Sequence, residues 1–103
     1  MASGILGQSN PAANTNTTVY TVTTGLTGSF TISVVNTGST PAEVTISLSA
    51  TGTPAASEYI EYQTPLAPGQ VLERGGIVAQ STKNVVLYCS TNTCAVSVYG
   101  FEQ

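Results

Sequence analysis

Glu58 and Glu61, in the stretch SEYIEY, are the closest-spaced pair of separated carboxylates in this 103-residue sequence. General acid–base catalysis needs two titratable groups brought to one reacting atom. Residues three apart on a strand point to opposite faces, so this pair diverges. Glu73 and Arg74 are adjacent and diverge for the same reason, unless a bulge intervenes. The chain holds no histidine and no aspartate. A serine nucleophile would therefore have to use Lys83 as its base, and Lys83 lies in the turn-like stretch QSTKN. The glycine-containing stretches PGQ and RGG are not followed by a helical period, so neither reads as a phosphate loop. The expectation is a protein that is not an enzyme and that carries no cofactor.

The two cysteines, Cys89 and Cys94, bracket four residues in CSTNTC. Placed opposite one another in a hairpin, they bring Leu87 to Val96 and Val85 to Val98. One face then becomes Val85, Leu87, Cys89, Cys94, Val96 and Val98, all apolar, and a register slip of one residue would scramble it. Directly opposed residues lie within disulfide reach. Two readings stay open: a pair of small buried thiols at the core edge, or a disulfide closing the hairpin. A redox motif would have two residues between the cysteines, and a zinc site needs four ligands that a chain without histidine or aspartate does not supply. No metal site is expected.

Charged residues make up 7% of the chain, against about 25% in an ordinary soluble domain. Arg74 and Lys83 are its two basic residues and the net charge is −3. Phosphate backbones and anionic membranes both require clustered Lys or Arg, so neither nucleic acid nor a membrane is an expected partner. The longest apolar runs are a few residues, too short to cross a bilayer. The opening MASGILGQSNPAANTNTT lacks a positive and an apolar region in signal-peptide order, which predicts a chain folded where it is made. Asn16-Thr17-Thr18 matches a glycosylation sequon, a chance match on that reading. Tyr59, Tyr62, Tyr88 and Tyr99 are candidates for stacking on sugars, or simply for packing on a sheet.

The elements that must carry these residues have a period of two. TTVYTV predicts a strand near 17–23, and SFTISVVN alternates Phe30, Ile32 and Val34 with Thr31, Ser33 and Val35. Residues 43–50 supply a partner, with NTGSTPA as the hairpin loop. YIEY (59–62) follows, then Pro68-Gly69 in the central positions of a type II turn. VLERGGIVA (71–79) reads as a strand bulged at Gly75-Gly76, and 84–90 and 94–101 complete the set. Turn signals recur about every 10–14 residues, and no segment has helical period. The prediction is all-β: a single small β-sandwich over residues 17–103, immunoglobulin-like or jelly-roll-like, with about seven strands. Serine and threonine, roughly a quarter of the chain, are expected on its outward face as solubilising groups. Residues 1–16 read either as a frayed terminus or, the reading carried forward, as an extended N-terminal arm with Ile5 and Leu6 as apolar anchors on a neighbouring subunit. One lysine leaves the sheet edges bare, which predicts either an aggregation-prone chain or edges covered in a working assembly.

Taken together, GILGQSNPAANTNTTVYTV, SFTISVVNTGSTPAEVTISLS, EYIEYQTPLAPGQVLERGGIV and the closing VSVYGFEQ resemble small Thr-rich virion accessory proteins of tailed bacteriophages, notably those infecting marine cyanobacteria. The resemblance covers essentially the whole chain and departs from the plain turn of those proteins at CSTNTC. It implies a non-enzymatic capsid decoration (cement) protein, made in the host cytoplasm and placed on the outer head shell of the virion. Its implied partners are the major capsid protein and neighbouring copies of itself, as a homo-oligomer. Ile5, Leu6 and Arg74 are the candidate inter-subunit contacts. A tail or fibre component is the alternative within virions, and a soluble carbohydrate- or protein-binding β-sandwich is the alternative outside them.

Overall fold

Alternation of branched and hydroxyl side chains resolves into eight strands in the computed structural model, which describes residues 3–103. They are β1 (Ser3–Ser9), β2 (Thr17–Thr21), β3 (Gly28–Asn36), β4 (Ala42–Ser49), β5 (Tyr59–Leu66), β6 (Val71–Ala79), β7 (Asn84–Cys89) and β8 (Cys94–Glu102). A single turn of 3-10 helix, Ala56–Glu58, precedes β5. The predicted all-β class and all seven predicted strands are present, with β1 as one strand more than expected.

The pairs nest: β1 with β8, β2 with β7, β3 with β6 and β4 with β5, all antiparallel. Two further ladders, β3–β8 and β4–β7, join these pairs into sheets of order β1-β8-β3-β6 and β2-β7-β4-β5. A long antiparallel ribbon wound across two packed sheets is the jelly-roll arrangement, one of the two expected forms of the sandwich.

Nesting overturns two expected hairpins. β3 and β4 belong to different sheets, so NTGSTPA turns a corner of the sandwich. β7 and β8 are likewise separated, and CSTNTC crosses from one sheet to the other. The physical reason is common to both. Period two dictates which side chains face inward, and inward-facing sets meet equally well across a sheet-to-sheet gap of about 10 Å as along a ladder. Thus Val85, Leu87, Cys89, Cys94, Val96 and Val98 are all buried as expected, while their strands are not neighbours.

The N-terminal segment also differs from an extended arm. Residues 3–9 form the edge strand β1 of the molecule's own first sheet, with Leu6 packed against the core; Met1 and Ala2 lie outside the described residues. Gly7 permits this closure, because a β-carbon there would collide with the Val19 carbonyl. Ile5 remains exposed.

The core between the sheets is built from Phe30, Ile32 and Val34 of β3, Val44 and Ile46 of β4, Val85 and Leu87 of β7, and Val96 and Val98 of β8. The Pro68-Gly69 turn forms as expected, with the Gln70 N–H donating to the Ala67 carbonyl at 2.9 Å and Gly69 at φ 76°. The β6 bulge forms too: Phe30 pairs with Ile77 and Ile32 with Arg74, so Gly75 and Gly76 oppose Thr31 alone. Serine and threonine, however, are not confined to solvent. Thr45, Ser47 and Ser49 of β4 are buried.

Candidate functional site

Cys89 and Cys94 form a disulfide, with α-carbons 6.7 Å apart. It joins the end of β7 in one sheet to the start of β8 in the other, so it ties the two layers together. Of the two open readings the bonded one holds, although the bond staples a corner and not a hairpin. Beside it, Asn36 is fully buried with every polar atom engaged. Its Nδ2 donates to the Thr40 carbonyl at 2.8 Å and the Leu66 carbonyl at 3.0 Å. Its Oδ1 accepts from the Gly38 N–H at 3.0 Å and the Thr93 hydroxyl at 2.9 Å. One side chain thereby holds the β3–β4 corner, the end of β5 and the CSTNTC loop. Sequence reasoning passed over Asn36; an Asn at an inward-facing position, two residues after Val34, was the available signal.

The three candidate contact residues have different fates. Ile5 is on the surface, Leu6 is in the sandwich, and Arg74 is engaged within the chain: its guanidinium lies 3.0 Å from the Glu61 carboxylate. Arg74 on β6 and Glu61 on β5 both occupy inward positions, opposite Ile32 and Ile46. Because β6 and β5 are edge strands, the pair closes the open side of the sandwich. Inward-pointing charges are one way natural sheets protect their edges.

The remaining carboxylates are also committed, with one exception. Glu58 accepts the N–H groups of Ala55 at 2.8 Å and Ala50 at 3.1 Å, which hold its carboxyl below the usual range; Lys83 lies 3.8 Å away. Glu73 accepts the Tyr99 hydroxyl at 3.0 Å, which raises the phenol's pKa. Glu102 accepts from Tyr20 and Thr23. Glu58 and Glu61 are thus not brought together, and Glu73 and Arg74 face opposite sides. Among the described residues, Glu43 is the one glutamate whose carboxylate has no hydrogen-bond or ion-pair partner. No group of three or more metal-ligating side chains occurs among the described residues, and no helix is long and apolar enough to cross a membrane.

Glu43 borders a groove of about 290 Å3 on the outer face of the second sheet, lined also by Asn14, Tyr59, Tyr62, Gln63 and Tyr88. A bulge builds it. Val44 pairs with Thr64 and Ile46 with Glu61, so Tyr62 and Gln63 together oppose Thr45. The Gln63 N–H, released from the ladder, donates to the buried Thr45 hydroxyl at 3.0 Å. The backbone at Gln63 is held at φ 48° and at Asn14 at φ 56°. Left-handed conformations are costly for a residue such as Gln and cluster at ligand sites and tight turns. The Tyr59 and Tyr62 rings lie 4.9 Å apart at 56°, and the Tyr88 hydroxyl donates to Asn14 Oδ1 at 3.0 Å. Three of the four tyrosines considered for stacking are therefore gathered in one place. Tyr99 lies on the other sheet.

Fold and surface together define a small disulfide-tied β-sandwich with a tyrosine-rich polar groove on the outer face of its second sheet. No protein-family model matches the sequence, and neither a curated protein nor a solved structure matches it.

Proposed function

We propose that this protein is a non-enzymatic structural protein of a tailed-phage virion, a capsid decoration protein that binds the outer head shell and neighbouring copies of itself. The observation that carries the reading is the outer face of the first sheet. Cross-strand registers place Ser3, Phe101, Ser29 and Val78 in one row, and Ile5, Tyr99 and Thr31 in the next. Gln8, Ser97, Ser33 and Glu73 form a third row, and Ala95, Val35 and Val71 a fourth. Val78 is 66% exposed, Ile5 58%, Val71 54% and Phe101 44%. Glu73 is the one charged residue in these rows, and it is occupied by Tyr99.

A face of hydroxyls and exposed aliphatic and aromatic groups suits a protein surface and repays no contact with polyanions. A docked interface of standard size buries about 1,200–2,000 Å2 in total, within reach of a four-stranded sheet face. Each copy can bind modestly, because repetition over a lattice supplies avidity. An inter-sheet disulfide suits a particle that persists outside the cell, where thiols oxidise. Jelly rolls also serve as viral capsid domains, a fold-level analogy that weighs less than the face itself.

Quantitative mass spectrometry of purified particles tests the reading. A copy number scaling with the major capsid protein is expected. A handful of copies would move the chain to the tail or its fibres, and absence from the particle would remove it from the virion.

A further inference from the structure

The groove bordered by Glu43 faces away from the proposed capsid-binding surface, so shell attachment leaves it without a role. We infer that it binds a neutral saccharide. Its volume of about 290 Å3 is at the lower end of small-ligand clefts, roughly 300–1,000 Å3, enough for one pyranose ring with neighbours extending along the open side. Tyrosine faces present flat apolar area to the C–H face of such a ring at low entropic cost. The tilted Tyr59–Tyr62 pair, with ring centres 4.9 Å apart, provides a floor and a wall.

The polar groups suit hydroxyl ligands. The Tyr88 hydroxyl occupies Asn14 Oδ1, which leaves the Asn14 Nδ2 protons to donate. The Gln63 side-chain amide and the Glu43 carboxylate have no partner among the described residues, and each can accept from a hydroxyl. Charge selects against other stacking ligands. Neither basic residue lines the groove, since Arg74 is paired with Glu61 and Lys83 lies beside Glu58. A nucleotide or an acidic sugar would meet Glu43 with no counter-charge. The inference stands apart from the virion reading, because the groove has the same geometry on a particle or on the free chain.

The test uses the purified full-length chain on an array of neutral and acidic glycans, followed by titration calorimetry with the best-retained neutral glycan. Retention of a neutral glycan is expected. Tyr62→Ala, at an exposed position, weakens it by about tenfold, and Glu43→Gln weakens it without changing the melting temperature. Tyr99→Ala, on the opposite face, leaves it unchanged. The idea is overturned by retention of acidic glycans alone, by no retention at all, or by an affinity that Tyr62→Ala does not move. Capture of decaproline in place of every glycan would also overturn it, and would make the groove a peptide site. Since no virion is used, none of these results bears on where the chain resides.

Discussion

The Tyr20 hydroxyl of β2 donates a 2.5 Å hydrogen bond to the Glu102 carboxylate of β8, joining the two sheets at the end of the sandwich opposite the disulfide. Thr23 adds its N–H and hydroxyl to the same carboxylate, each at 3.0 Å. The Tyr20 bond first, then the Thr23 N–H, hold Glu102 below the ordinary carboxylate range; burial, then the bond to Glu102, pushes the Tyr20 phenol far above its own. The layers are thus bolted at both ends, covalently at one and by a charge-assisted bond at the other.

This pairing shapes stability against pH. Glu102 has a lowered pKa in the folded chain, so its contribution is fully present above the ordinary value of 4.5 and is lost as pH falls through the folded value. Glu58 acts in the same direction. Tyr20 and Tyr99 are raised from 10.0, so their contributions are present below that pH and lost as it rises through the folded values. Melting temperature against pH should therefore form a plateau with shoulders below about 4.5 and above about 10. Tyr20→Phe should lower the plateau and raise the Glu102 pKa, as read by carboxyl NMR titration; an unmoved Glu102 would contradict the assignment.

Asn36→Ala should be among the most damaging single polar changes. It strands the buried Leu66 carbonyl together with the partly buried Thr40 carbonyl, Gly38 N–H and Thr93 hydroxyl, in three different segments. At about 1–3 kcal/mol for each buried group left unpaired, a loss on the order of 3 kcal/mol in urea unfolding is expected. Asn36→Asp keeps the acceptor and loses the donor, yet buries a charge, so it should not rescue.

Reducing the disulfide, or replacing both cysteines by Ala, should cost about 2 kcal/mol, the loop-entropy value for so short a closure. The buried faces of β7 and β8 do not depend on the bond, so circular dichroism should retain the all-β spectrum. Unfolding with and without a phosphine reductant measures the difference.

Deleting residues 1–9 should destabilise the whole sandwich, since it removes β1, exposes the far edge of β8 and empties the Leu6 position against the core. Ile5→Ser, in contrast, should leave the melting temperature nearly unchanged and weaken binding to capsids. A separable arm would give the opposite result for the deletion: an unchanged melt.

Much of the molecule was legible in period two. The inward faces of β3, β7 and β8, the Pro68-Gly69 turn and the bulge at Gly75-Gly76 depend on neighbours a few residues away, and local sterics dictate them. The tyrosines that line the groove were singled out as candidates, and the cysteines as a candidate pair. Their arrangement was not legible. Tyr88 reaches Asn14 across 74 residues, and the Tyr62-Gln63 bulge exists because Thr45, on another strand, can receive the freed N–H.

The sequence alone determined which side chains turn inward and that few charges would be available for chemistry. Tertiary structure decided which strands pair, that residues 3–9 close the chain's own sheet, and that Arg74 is bound to Glu61. The physical reason is that alternation specifies a face but not a partner. Inward-facing residues gain the same burial from any opposing apolar surface, so nesting of the whole ribbon, with its corners and edge closures, selects among pairings that look equivalent locally.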